Sequence, residues 1–367
     1  MRDISSIEIN LIVKELSPFI QGSRIRKIYF LGGDSFRITF YKDNDTLHLY
    51  IKLLKTINKT NFSESGDEPN NFVMGLRKRI ENRIVNSIEQ KNSDRICIID
   101  IGKEHFLFVI EMLGKGNIIL VDENNKIELS YKALEFSDRI IKKGNEYKLP
   151  KNDSLSFEEA IKNLSIILEK SGSEKIISIL SKNFNIGPLY IEDILKRADV
   201  DPKKIKITES EKEAIEKEII KFSKVIEEPK PTLYLENNVP LNYAICEIKK
   251  YENLEKKIFN TLNELLDYLY LSDRSYIKDN KKQQMLEELK ANIEKQDVLY
   301  KKLTEDSKRY SKIGNTIFER LNILNDAIFY MRENKKTTLE ELKKRFPELN
   351  IKKLDLKDKK FIIEIDE

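Results

Sequence analysis

Cysteine and histidine are scarce in this chain, with two of each in 367 residues. Cys97 and Cys246 stand far apart in apolar, strand-like runs, Arg-Ile-Cys-Ile-Ile and Tyr-Ala-Ile-Cys-Glu-Ile. This spacing excludes a disulfide framework and a cysteine metal site, and predicts buried free thiols in a reducing compartment. His48 and His105 also lie in strand-like runs without Cys, Asp or Glu at ligand spacing, so no metal site is expected. No stretch of about 18 apolar residues exists to span a membrane. The opening Met1-Arg2-Asp3-Ile4-Ser5-Ser6 has no apolar signal-peptide core, so a cytoplasmic location is expected. Also missing are Gly-x-Ser-x-Gly, a phosphate-cradling Gly-x-x-x-x-Gly-Lys loop and a dinucleotide fingerprint. Neither a cofactor nor an independent catalytic centre is expected.

An excess of one charge sign is lacking too. The 66 Lys and Arg are nearly balanced by 62 Asp and Glu, for a net charge of +4. Overall charge therefore does not announce a nucleic-acid binder, and any basic surface has to be local. One local concentration stands out in Phe-Val-Met-Gly-Leu-Arg-Lys-Arg-Ile from Phe72, an amphipathic helix pattern carrying Arg77, Lys78 and Arg79, with Arg83 close behind. An acid and a base, Asp94 and Arg95, follow at a turn. Cations that grip a phosphate backbone beside one acid and one base that read something specific are the elements of RNA recognition. Asp94 is equally explained as Asn-Ser-Asp turn chemistry.

The order of elements predicts an α+β protein. Ser5-Ser6-Ile7-Glu8 reads as a capping box opening a first helix, a role that accounts for Glu8 without any further function. Runs at 24–31, 36–41 and 47–52 read as an antiparallel meander, and residues 58–71 as a loop before the basic helix. Five further runs, at 84–90, 95–101, 106–113, 117–122 and 126–131, suggest a sandwich or partly closed barrel ending near Pro150. A helical region follows to about Glu228, interrupted by Asn185-Ile186-Gly187-Pro188. This is either a helical connector or a hairpin whose helix N-terminus, near Gly187, contacts a phosphate. Pro229-Lys230-Pro231 marks a boundary before strand-like runs at 232–235 and 243–248. From Asp279 a long helix is expected. Eleven of fourteen heptad seam positions between Leu286 and Met331 are apolar or aromatic, which predicts a coiled-coil arm roughly 70 Å long. A short strand at 360–365 closes the chain. The expected domains are 1–152, 153–228, a connector at 229–275, and 276–367 as the arm with the start of its tip.

Taken together, several blocks resemble the N-terminal part of the NFACT family of ribosome quality control factors, the family of RqcH and NEMF, also known as fibronectin-binding protein A-like. They are Ser6-Ile7-Glu8 and Glu15-Leu16, Gly22 to Tyr29, Phe72 to Lys78, Arg83-Ile84, Asp94-Arg95-Ile96, Gly116 to Asp122, Gly187-Pro188, and Phe259 to Tyr268. The resemblance implies an NFACT-N domain similar in fold to the N-terminal domain of MutM and Nei glycosylases, then a helix-hairpin-helix-like domain and a coiled coil. It further implies binding to tRNA, of an alanine type, and to the large ribosomal subunit carrying peptidyl-tRNA, in support of mRNA-independent C-terminal tailing of stalled chains. By position, the tRNA-handling residues carry over to Asp94, Arg95 and Glu8, with Arg77, Lys78, Arg79 and Arg83 on phosphates. Glu8 stands where the family commonly has Asp, and Asn185 where the hairpin usually has its first glycine. The chain also stops short of the returning coiled-coil helix and the NFACT-R domain. Base excision is not expected, because Arg2 and Asp3 occupy the positions of the glycosylases' catalytic Pro-Glu and their zinc finger is missing. A coiled-coil adaptor that dimerises through its seam and binds no RNA is the alternative. A surface adhesin would need a secretion route that this N-terminus does not show.

Overall fold

The computed structural model describes residues 2–63, 66–151, 155–169, 174–355, 357–358 and 360–365; the side chains of 273–285 and the domain boundary expected at 152/153 lie outside the described residues. The fold is α+β, and the chain divides into two compact units, Met1–Ser275 and Tyr276–Glu367.

In the first unit, helix α1 (Ser6–Ile20) opens with the Ser5/Glu8 capping box and buries Ile9, Ile12, Val13 and Leu16 on one face. Strands β1 (Arg24–Phe30), β2 (Ser35–Lys42), β3 (Asp45–Lys52) and β4 (Thr56–Thr60) form an antiparallel meander in that order. β4 occupies the start of the expected loop at 58–71. Helix α2 (Asn71–Ile80), capped by the Asn70 side chain on Val73 N–H, packs along β1. A second meander contains β5 (Val85–Gln90), β6 (Ile96–Ile101), β7 (Phe106–Glu111), β8 (Asn117–Val121) and β9 (Ile127–Ser130). Its middle strands are buried on both faces: Cys97, Ile99, Ile118 and Leu120 join the main core, while Ile96, Ile98, Ile119 and Val121 join a smaller cluster with Ile141 and Tyr147. That is why Ile-Cys-Ile-Ile and Ile-Ile-Leu-Val read as unbroken apolar runs. The hairpin of β10 (Leu134–Glu135) and β11 (Ile140–Ile141) completes this side.

Among the described residues, helices α3 (Phe157–Lys162), α4 (Leu164–Glu169), α5 (Ile176–Phe184), α6 (Pro188–Arg197) and α7 (Glu209–Glu227) follow. A three-stranded sheet then places β12 (Thr232–Glu236) between β13 (Val239–Ala244) and β14 (Glu255–Ile258). β13 begins upstream of the run expected at 243–248 and overlaps only its start, and β14 has no counterpart among the expected strands. One hydrophobic cluster draws on α1, both large sheets, α3 to α7, β12, β13 and the residues 262–269.

Helix α8 runs from Leu262 to Glu319, so it begins well before Asp279. Beyond Arg320 the chain restarts as α9 (Leu321–Glu333), followed by α10 (Leu339–Arg345) and the hairpin of β15 (Ile351–Asp355) with β16 (Lys360–Ile363). The expected arm therefore ends sooner than the heptad pattern. Leu324 packs against a separate small core of Ala327, Leu342, Leu349 and Ile351, because α10 and the hairpin supply partners there, and Met331 is buried. Upstream, the seam residues Leu289, Ile293, Tyr300, Leu303 and Tyr310 are exposed. No described helix is long and apolar enough to cross a membrane.

Candidate functional site

The β5–β6 connection holds Asp94 and Arg95. Asn92 and Ser93 adopt positive φ angles of 52° and 48°, the left-handed turn geometry that suits these short polar residues. Asp94 N–H donates to Lys91 O at 3.0 Å. The tip is clamped from outside the turn. Ser93 O accepts from the Ser6 hydroxyl of α1 and, at 3.0 Å, from the Asn185 amide. Gln90 Nε2 reaches Ser6 O and Asp94 O, both at 2.8 Å, and Gln90 Oε1 accepts from Asn10 at 2.9 Å. Three separate elements therefore hold one five-residue turn.

Within it, Asp94 Oδ1 accepts the Arg95 backbone N–H at 2.7 Å. Asp94 thus braces Arg95 through the main chain, and no ion pair joins the two side chains. The half-buried Arg95 guanidinium makes no hydrogen bond or ion pair among the described residues. A cation held on a rigid backbone with its donors unspent is suited to a planar or anionic partner.

Asn185 takes the left-handed conformation, φ 41° and ψ 31°, that its position in the hairpin requires. Two residues on, Gly187 caps α6 at φ 100°, and a Cβ there would come 2.8 Å from Ser5 Cβ. The N-termini of α1 and α6 therefore meet where only glycine fits. This close approach accounts for Gly187 and brings the hairpin against the Asp94 turn.

Glu8 lies beneath, fully buried. Its carboxylate accepts both terminal guanidinium nitrogens of Arg2, the Tyr190 hydroxyl, and Ser5 N–H at 2.7 Å. Burial pushes this carboxyl up, but the Arg2 charge and these hydrogen bonds outweigh it and hold it below the ordinary value. Arg2 in turn stacks 4.3 Å over the Tyr243 ring and donates to Tyr243 O at 3.0 Å. Tyr190 also accepts Ile245 N–H at 3.1 Å. Glu8 is spent on a buried network joining the N-terminus, α1, α6 and β13, and it does not touch Arg95. Arg2, Tyr190 and Tyr243 went unread in the sequence, since nothing in their local patterns shows that they meet.

The four cations of the basic segment are placed differently from one another. Arg77 donates to Ile28 O at 2.8 Å, closing the edge of β1. Arg79 pairs with Glu128 at 3.0 Å and Arg83 with Glu104. Lys78 is exposed and unpaired among the described residues. The segment is basic in sequence, but Arg79 of α2 and Arg83 beyond it are neutralised by acids from β9 and from the turn before β7. His105 likewise lies in that turn rather than in a strand, with Nδ1 2.9 Å from Asp100, and the Asp100 carboxylate raises its pKa. Cys97 is buried and Cys246 half-buried; both are free thiols, and burial pushes each up to about 12. Among the described residues no cluster of His, Cys, Asp and Glu could hold a metal ion.

Residues 5–353 match the model of the NFACT N-terminal and middle domains. The chain is 26% identical over 353 residues to the archaeal Rqc2 homolog aRqcH of Methanocaldococcus jannaschii, covering 90% of this chain and 52% of that protein. It is 27% identical over 289 residues to the Rqc2 homolog RqcH of Bacillus subtilis, covering 71% and 48%. The chain thus spans about half the length of the curated relatives it matches. Among solved structures, a fibrinogen binding protein from Staphylococcus aureus shares the fold at a TM-score of 0.61 and 22% identity, over 72% of this chain and 98% of that one.

Proposed function

Because this chain belongs to the family of NFACT N-terminal and middle domains, we propose that it is a non-catalytic RNA-binding factor of ribosome quality control. The relatives named as Rqc2 homologs and as a ribosome quality control complex subunit support that assignment. In this reading the chain binds tRNA, of an alanine type, and the large ribosomal subunit carrying peptidyl-tRNA, in support of mRNA-independent tailing of stalled nascent chains in the cytoplasm.

The observation that carries the reading is the Arg95 side chain, unpaired on a turn that α1, Gln90 and Asn185 hold still. Ordinary turn chemistry accounts for Asn92, Ser93 and Asp94. It gives no reason to brace an arginine and leave its five donors without a partner. Arg95 is assigned to an RNA base edge or face, and Asp94 to positioning it. Glu8 acts at one remove, by fixing α1 and α6 around the turn. Lys78 is the cation of α2 available to a phosphate, whereas engagement of Arg79 or Arg83 requires exchanging an existing carboxylate partner.

The test is binding of the chain to labelled individual tRNAs, with Arg95→Ala beside wild type. The expected result is a preference among tRNAs that flattens in the variant, by about tenfold for a lost interaction of about 1.4 kcal/mol. Equal binding of all tRNAs by both proteins would remove the reading role of Arg95. The exposed apolar seam of α8 favours a second activity for the same chain, a coiled-coil contact with another helix. A seam that dimerises the chain without any RNA affinity would return the adaptor reading to the front.

A further inference from the structure

The four strands of the first sheet carry seven Lys or Arg and one acid, Asp45, in a chain whose charges otherwise balance. On its edge strand β1 the register shifts between Ile25 and Lys27, a bulge that leaves Arg26 without a cross-strand partner. The bulge resets the alternation. Ile25 and Ile28 stay in the core while Arg24, Arg26 and Lys27 all emerge exposed. None of the three makes an ion pair among the described residues, in contrast to Arg79 of α2 and Arg83 just after it.

Two of the three lie beside a ring, while Arg24 donates to Asn82 O. The Arg26 guanidinium carbon is 5.9 Å from the Tyr41 ring centre, and Lys27 Nζ is 5.4 Å from that of Tyr29. Arg37 lies 4.2 Å and Arg77 5.8 Å over the same Tyr29 ring. Arg37 is 2% exposed, and among the described residues its Nε has no hydrogen-bond partner and no carboxylate pairs with it, so its charge adds to the field of this face. Cations interleaved with ring faces match a sugar-phosphate backbone with bases or riboses beside it. An acidic protein surface would use the charges and leave the rings without a role.

We propose that the bulged outer face of β1 is a sequence-independent RNA contact, with Arg26 and Lys27 on phosphates and Tyr29 and Tyr41 as the adjoining ring surfaces. It shares no residue with the Asp94 turn. This contact rests on the RNA-binding reading above and adds the surface that supplies affinity rather than choice.

The experiment measures anisotropy of labelled bulk tRNA with the 367-residue chain over a salt series, for wild type, Arg26→Gln/Lys27→Gln and Arg95→Ala. Two lost phosphate contacts make the slope of log affinity against log salt shallower by about 1.5 in the double variant. All tRNAs weaken alike and the preference among them is kept. The exposed positions leave the melting temperature at the wild-type value, which separates lost contacts from lost folding. An unchanged slope and affinity in the double variant would overturn the proposal and point to an acidic protein as the partner of β1, while an intact Arg95 effect in the same series would leave the reading turn standing. Absence of tRNA binding by wild type would overturn both.

Discussion

Two acidic residues that look alike in sequence do different work. Asp94 is half-buried and fixes a backbone N–H, whereas Glu8 is fully buried and balances the charge of Arg2. The capping role of Glu8 was legible from Ser5-Ser6-Ile7-Glu8, because a cap is a local pattern. Its partners were not: Tyr190 lies 182 residues away, and Arg2, six residues upstream, precedes the helix and follows no helical spacing. Replacing Glu8→Gln leaves the half-buried Arg2 charge without its partner, and a loss of about 3 kcal/mol is expected by urea unfolding at pH 7. The pH dependence has a defined sign. The Glu8 carboxyl sits below its ordinary 4.5 in the folded chain, so its contribution is complete above that pH and disappears as pH falls through the folded value. Between pH 5 and pH 3 the wild type should therefore lose stability more steeply than Glu8→Gln; parallel curves would mean that the buried carboxylate carries no such linkage. Gly187→Ala is expected to cost about 1–3 kcal/mol, since it meets both a φ of 100° and the Ser5 Cβ. Because that contact also positions Asn185 over the Asp94 turn, the same variant should weaken any tRNA preference. Destabilisation with the preference intact would confine Gly187 to packing.

Elements were legible in proportion to how strictly their burial repeats. The two large meanders and α2 follow the sequence pattern closely, since each has a core face with regular spacing. β4 was read partly as loop because Thr56, Asn58 and Thr60 are polar, yet all three are buried. β14 and β15, Glu-Lys-Lys-Ile and Ile-Lys-Lys-Leu-Asp, are charged edge strands, and edge strands carry lysines without alternating. The heptad pattern ran through Arg320 because α8 and α9 use the same helical spacing for different purposes. Before the break the apolar seam residues are exposed, and after it Ile323, Leu324, Ala327 and Tyr330 serve the small core with α10 and the β15–β16 hairpin. Leu349, fully buried in that core, tests the distinction. Leu349→Ala should cost the tip about 3 kcal/mol. Hydrogen exchange should show α10 amides losing protection while those of β6 and α6 keep theirs, and equal losses in all three would tie the tip to the core of the first unit.

At the scale of the whole first unit, composition and packing divide the chain differently. Pro150 and Pro229-Lys230-Pro231 mark places where strand patterns give way to helical ones and back, so the sequence suggests separate domains there. The hydrophobic cluster crosses both places, joining Ile12 of α1, Ile99 of β6, Ile191 of α6, Leu233 of β12 and Leu265 of α8. Proline and charge report a change of element type at the surface. Whether the two sides share a core depends on which apolar faces meet, and that is a tertiary fact. The Arg2–Glu8–Tyr190 network runs along the same junction, binding the N-terminus to α6 and β13. If the core is continuous in energy as well as in contact, amides at Ile99, Ile191 and Leu233 should exchange through one global opening with the same free energy, each falling with the same slope in denaturant. Arg2→Ala should lower all three together. Earlier opening at Ile191 and Leu233 than at Ile99 would show instead that the helical region and its sheet unfold as a unit of their own, and that the prolines mark real domain boundaries.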